Sequence, residues 1–223
     1  MWNSGGRIAG RPMQSLKISV VYQSGAGHTR SLAEAVARGA AGVPDVSVEL
    51  IEIVGKDVVE GRWTNDAVLA RLDQADAIVF GCATYMGSIS AVFKAFLETA
   101  FQKWLTQSWK DKFAAGFTNS ASQNGDKLSS LIQLVVFAAQ MGMIWVGVSD
   151  GPGNNWSGGS VNDTNRLGSW LGAMGQSNGD QGPDLAPSPG DRKTAERLGE
   201  RVALITGKYL GRPGYVVERK SLA

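Results

Sequence analysis

The sequence predicts a single α/β domain built on a doubly wound, five-stranded parallel sheet. Three observations lead there. Short apolar runs alternate with helix-period segments through five rounds, the first run opens through a small-residue turn straight into a helix, and the 223 residues offer no seam for a second domain. Strand–helix alternation forces crossover connections, and crossovers make neighbouring strands parallel. Five such strands favour the order 2-1-3-4-5, in which a ligand sits above the carboxyl ends of the strands, where the winding direction reverses.

Each element has its own signal. Ile18-Ser19-Val20-Val21-Tyr22 is a buried strand, and the turn Ser24-Gly25-Ala26-Gly27-His28-Thr29 leads from it into a helix beginning Arg30-Ser31-Leu32-Ala33. Val46 to Ile53 alternates apolar and polar residues, as an edge strand does. Trp63 to Leu72, with Ala67, Val68 and Leu72 apolar, is a short helix, and Asp76 to Gly81 is a buried strand ending in glycine. Ser90 to Leu105 is a longer amphipathic helix, with Val92, Phe93, Phe96, Leu97 and Ala100 at core spacing. Lys112 to Thr118 gives a fourth strand, Lys127 to Gln140 a fourth helix, and Met143 to Val148 a fifth strand. Gly190 to Tyr209 closes the domain as a helix, with start signals at Pro189 and Asp191.

Ser149 to Pro189 breaks the rhythm. It is rich in Gly, Asn, Asp and Pro, with one brief apolar patch at Leu167 to Met174. A loop this long is expected to cover a ligand or to pack between subunits. Residues 1–15, rich in Gly and Arg, read as a disordered leader, an appended segment, or an extension upstream of a start at Met13. The domain then spans 16–210, and 211–223 form a tail.

Composition narrows the function. A net charge of +2 with scattered basic residues argues against nucleic acid as a partner. Cys82 is the only cysteine, which excludes an intrachain disulfide framework and fits a reducing compartment. No apolar stretch reaches membrane-spanning length and the N-terminal residues lack a signal-peptide core, so the expected location is the cytoplasm, without membrane insertion. No cluster of Cys, His, Asp and Glu has metal-ligand spacing. No serine sits in Gly-x-Ser-x-Gly, so hydrolase chemistry has no support.

The chemistry concentrates in three loops that a parallel sheet brings to one rim. In the first, Ser24 to Thr29, unpaired amides at a helix N-terminus, the helix dipole and two hydroxyls make a cradle for phosphate. The second, Thr84-Tyr85-Met86-Gly87, offers a flat ring and a soft thioether to a planar ligand, with glycine allowing close backbone approach. The third, Asn119-Ser120-Ala121-Ser122-Gln123-Asn124, supplies amides and hydroxyls for the edge of a heterocycle. A dinucleotide fingerprint fails, because its third glycine position is Arg30. His28, the only histidine, reads as a solvated or capping residue rather than a catalytic one. A phosphate cradle beside a site for a flat ring points to FMN.

On Tyr22 to Thr29, Ile78 to Ser90, Phe93 to Thr99 with Trp104 following, Phe117 to Gly125, and Met141-Gly142-Met143, the chain resembles flavodoxin-like proteins. Within them it is most similar to WrbA-type NAD(P)H:quinone oxidoreductases, over residues 17–145 and more loosely the last helix. The resemblance implies a flavodoxin-like fold with FMN as cofactor. NADH or NADPH would be co-substrate, and a quinone or other planar compound the acceptor. Hydride would pass through the flavin N5, with no catalytic side chain. It implies that Ser24, Gly25, Ala26, Gly27, His28 and Thr29 hold the phosphate. Thr84, Tyr85, Met86 and Gly87 would line the ring, and Asn119, Ser120, Ala121, Ser122, Gln123 and Asn124 would contact its edge and the ribityl chain. Gln140 falls where the family has a histidine near the flavin. Ala26 stands where the family has an aromatic beside the nicotinamide site, and Tyr85 where it has an arginine. Trp104 would face the substrate across a contact in a homo-oligomer, dimer or tetramer. Arg30 and Arg166 are the candidates to read a 2′-phosphate. Three other functions are compatible with the same loops: a flavodoxin-type electron carrier, a reductase of free FMN, azo or nitroaromatic compounds, and a flavin-bound interaction protein with little turnover.

Overall fold

A computed structural model describes residues 15–211; the expected leader and tail fall almost wholly outside them. In chain order the elements are β1 (Leu16–Tyr22), α1 (His28–Ala41), β2 (Val46–Glu52), a small hairpin of β3 (Val58–Val59) and β4 (Arg62–Trp63), and α2 (Asp66–Asp73). There follow β5 (Ala77–Tyr85), β6 (Ser88–Ile89), α3 (Ala91–Thr99), α4 (Phe101–Leu105), β7 (Phe113–Ser120), α5 (Lys127–Gln140), β8 (Ile144–Trp145), β9 (Ala173–Gln176) and α6 (Pro189–Tyr209). The main sheet runs β2-β1-β5-β7-β8 with every neighbour parallel, and β9 continues the β8 position along β7. Counting β8 and β9 as one broken strand, this is the expected 2-1-3-4-5 order.

Burial explains the centre of the sheet. β1, β5 and β7 are nearly continuous apolar runs, because helices cover both of their faces. One face packs Leu32, Val36, Leu198 and Val202 of α1 and α6 against Ile18, Val20 and Val79. The other packs Leu72, Phe93, Phe96, Leu131 and Leu134 of α2, α3 and α5 against Ile78 and Phe80. The α1–α6 pair is unusually close. A Cβ on Gly39 would overlap the Glu196 carbonyl, and one on Gly199 the Val36 carbonyl. No helix among the described residues is long and apolar enough to cross a membrane.

The helix expected from Trp63 begins at Asp66, with Trp63 in β4, and the strand expected to end at Gly81 runs on to Tyr85. Two other expected elements are broken by the structure. The continuous fifth strand over 143–148 is two pieces: β8 pairs with Phe113 and Ala114 at the start of β7, and β9 with Phe117 to Ser120 at its end. Residues 146–172 leave the sheet and return to the same position. Val148 N donates to the Trp170 carbonyl at 2.9 Å, and a Cβ on Gly147 would collide with that carbonyl, so the outgoing and returning chains touch. The single helix over 90–105 breaks at Ala100. There the Thr99 hydroxyl lies 3.1 Å from the Ala95 carbonyl and 3.0 Å from that of Trp63, a side-chain competitor of the kind that bends helices.

Candidate functional site

A cavity of about 470 Å³ opens at the carboxyl ends of β1, β5 and β7. The first loop contributes Gly25, Ala26, His28 and Thr29, the second Thr84, Tyr85 and Met86, and the third Asn119, Ser120, Ala121 and Ser122. Three strand ends expected to converge do converge.

Each loop is held differently. In the first, Gly27 caps α1 with φ 88°, and Ser24 Oγ accepts from Gly27 N at 3.1 Å and Arg30 N at 3.3 Å. Ser24 therefore shapes the turn from within and does not line the cavity. The Ser31 amide makes the first regular helical bond, to the Gly27 carbonyl at 3.0 Å, and the amides of His28 and Thr29 have no partner among the described residues. Thr29 is 2% exposed as a residue, lines the cavity, and its hydroxyl makes no hydrogen bond among those residues. A helix N-terminus with two free amides and a hydroxyl that lines the cavity suits a phosphate.

The second loop ends in a two-residue hairpin turn. Tyr85 pairs with Ser88, and Met86 (φ 49°) and Gly87 (φ 76°) both take the left-handed backbone that tight hairpins favour. Met86 is fully exposed at the tip, and the Tyr85 hydroxyl lies against Gly25, where a Cβ would collide with it. Beneath, Thr84 Oγ1 sits 2.8 Å from Thr118 Oγ1 and 2.7 Å from Ser130 Oγ, a buried hydroxyl trio joining β5, β7 and α5. Gly87 shapes the turn without lining the cavity.

The third loop is held from below. Lys127 Nζ donates to Ser120 Oγ and to the Ser122 and Gln123 carbonyls, so Gln123 serves through its backbone; neither it nor Asn124 lines the cavity. Burial pulls the Lys127 ammonium down to about 8, partly offset by Asp191. The Asn119 amide is fixed by the Ser177 hydroxyl at 3.0 Å.

Sequence reasoning missed Ser177 and Gly179, which line the cavity from beyond β9. Their signal was composition: Ser177-Asn178-Gly179 repeats the hydroxyl, amide and glycine character of the three loops. The same stretch reaches the first loop, where His28 Nε2 donates to the Gln181 carbonyl at 2.8 Å and Gly27 packs on Pro183. His28 is therefore tied to the chain. Of the long segment, residues 177–183 lie over the site's phosphate end.

Trp104 and Gln140 lie elsewhere. Both line a second, mostly apolar cavity of about 590 Å³ between α3–α4 and α5, with Leu97, Phe101, Ile132 and Val136. Trp104 is 44% exposed and stacks on Phe101 at 5.6 Å. Of the two candidate arginines for a 2′-phosphate, Arg166 is closed and Arg30 is exposed but does not line the cavity. Arg166 is buried against Asp191 at 2.7 Å, and Arg30 binds Glu52 at 2.8 Å and the Tyr22 hydroxyl at 3.1 Å. Burial pushes the Cys82 thiol up to about 12, so it is inert.

Known proteins are similar to this chain in sequence and fold. A family model described as NADPH-dependent FMN reductase matches residues 16–151. The crystal structure of a flavodoxin, WrbA-like protein from Agrobacterium tumefaciens is 38% identical, covers 87% of this chain and 99% of its own, and superposes with a TM-score of 0.65. Flavodoxin FldP of Pseudomonas aeruginosa is 43% identical over 190 residues, 85% of this chain and 96% of its own. An NAD(P)H dehydrogenase (quinone) of Geobacter sulfurreducens is 32% identical over 209 residues, 88% of this chain and all of its own.

Proposed function

The chain belongs to the NADPH-dependent FMN reductase family, and from that premise we propose that it is an FMN-dependent NAD(P)H:quinone oxidoreductase, similar to the WrbA type. It carries two electrons from NADH or NADPH to a quinone or other planar acceptor. The observation that supports the reading most is the N-terminus of α1, where the His28 and Thr29 amides have no partner among the described residues and both residues line the cavity that three loops share.

Bound FMN supplies hydride acceptance and donation at its N5; the side chains bind, orient and exclude water. The Thr29 hydroxyl and the His28 and Thr29 amides would hold the phosphate, closed from above by Gln181 and Pro183. Asn119, Ser120 and Ser122 would meet the ring edge and ribityl chain, and Tyr85 and Met86 would flank the ring. Ala26, small and at the cavity wall, leaves room beside the ring for nicotinamide or quinone. Trp104 reaches that substrate only from another subunit, since its own cavity is a separate one. The exposed Phe101, Trp104, Ile132 and Val136 suit such a contact in a homodimer or homotetramer. We place the protein in the cytoplasm, which agrees with a lone buried thiol.

The similarity to a flavodoxin favours a second reading, an electron carrier with no substrate of its own. One assay separates them. Protein reconstituted with FMN is mixed with NADH or NADPH and a panel of quinone, free FMN, azo and nitroaromatic acceptors. Quinone turnover without another protein supports the reductase. Flavin reduction only when a separate reductase is added establishes the carrier, and protein left colourless by FMN removes both.

A further inference from the structure

Lys127 opens α5, yet its side chain has no exposed surface. Lysine almost never sits wholly inside a protein unless its charge is matched. Here all three ammonium protons are matched: Nζ donates to Ser120 Oγ at 2.9 Å, to the Ser122 carbonyl at 2.8 Å and to the Gln123 carbonyl at 2.8 Å. Every acceptor lies in one loop, residues 120–123, and Ser120 and Ser122 of that loop line the cavity. The ammonium is the loop's floor.

A second support reaches the loop from the far side. Gln176 Nε2 donates to the Ala121 carbonyl at 2.8 Å, and Gln176 N donates to Asp191 Oδ2 at 2.9 Å. Arg166, from the segment between β8 and β9, completes this bracket by donating to Gln176 Oε1 at 3.3 Å and to Asp191. The charges facing Lys127 are thus Asp191 on α6 and Arg166 beside it, which oppose one another. Gly125, at φ 57°, closes the loop where a Cβ would collide with Ser120 Oγ.

We infer that Lys127 is a positioning residue of the cofactor site, its ammonium fixing loop 120–123 in the shape that receives the ring side of FMN. This rests on the FMN reading above. Lys127 does not line the cavity and touches no substrate, so it acts through the loop. A neutral amine has two donors for the same three acceptors, so one loop acceptor loses its partner when the group deprotonates. The loop shape that binds flavin is therefore the shape that holds the proton, and flavin binding weakens as pH rises through about 8.

The test uses apo-protein, wild type and Lys127→Met, titrated with FMN and with riboflavin (the same ring without phosphate) by quenching of flavin fluorescence from pH 7 to 9.5. Thermal melting checks that both fold. For wild type, Kd is expected to rise with pH by roughly three- to tenfold, tenfold being one pKa unit of coupling. For Lys127→Met, loss of the clamp is expected to weaken both flavins about ten- to a hundredfold at pH 7, roughly one to two hydrogen bonds' worth, and to leave Kd independent of pH. Wild-type affinity in the variant, a retained pH slope, or an effect seen with FMN but not riboflavin overturns the proposal. If the variant does not fold, the wild-type slope decides: a flat profile overturns it. Wild type that binds neither flavin at any pH removes the FMN reading itself, and the clamp with it.

Discussion

Replacing Gly27 by alanine should strain the phosphate end of the site in two separable ways. Gly27 holds φ 88° and ψ −19°, a backbone shape that costs a residue with a Cβ about 1–3 kcal/mol. The added methyl would also lie 2.9 Å from Pro183 Cγ and 3.0 Å from its Cβ. Pro183 cannot simply retreat, because its carbonyl accepts from Ser31 Oγ at 3.2 Å and Arg192 Nη2 at 2.6 Å. Overpacking of this kind adds about 1 kcal/mol or more. Together these give about 3 kcal/mol, and for a domain of this size roughly 6–12 °C in Tm. Thermal unfolding of Gly27→Ala, Pro183→Ala and the double variant measures both parts. The double should recover the collision but not the backbone strain, so it should regain about a third of the loss. A Gly27→Ala melt within 2 °C of wild type, or full recovery in the double, would refute the reasoning (both thresholds are roughly the resolution of the 2–4 °C per kcal/mol scale).

Three further expectations concern buried charge and the second cavity. Asp191→Asn leaves Arg166 buried without its counter-ion and should cost about 3–5 kcal/mol in a denaturant titration; a loss below about 1 kcal/mol would contradict the pair's role. Trp104→Ala should raise the quinone KM severalfold while FMN content stays near normal, and unchanged kinetics would take Trp104 out of the substrate site. Lys127 gives a pH signature in stability. Its folded value of about 8 lies below the ordinary 10.5, so between those values the unfolded chain holds more protons and wild type should gain stability relative to Lys127→Met as pH rises. A stability difference that does not change from pH 7.5 to 10, roughly the window between the two values, would count against a lowered folded-state value.

Much of this was readable in the residues because the signals were local. β1 and β7 announce themselves as uninterrupted apolar runs, and the turn before α1 carries its small residues and hydroxyls in a row. β5 outran its expected end at Gly81 because Cys82 and Ala83 still pair with Thr118 and Asn119 of β7. That pairing is invisible along one strand. β9 hid because Ala173-Met174-Gly175-Gln176 has neither β-branched residues nor a long apolar run, and becomes a strand only because β7 offers it an open edge. Lys127 hid for the opposite reason. A lysine at a helix start reads as solvated, and only the folding of 120–123 over it makes it interior. Trp104 and Gln140, far apart in sequence, line one cavity, but it is one that no strand end predicts.

The interruption between β8 and β9 bears on what this protein does in a crowded solution. A long outermost strand displays a row of unsatisfied amides and carbonyls on which another chain can template itself into an aggregate. Here that flank is cut into pieces of two and four residues, with a glycine-rich excursion looping out between them. A would-be recruit finds too short a rail to grip, and the same detour returns the chain to β9, from whose end Ser177 reaches the cavity.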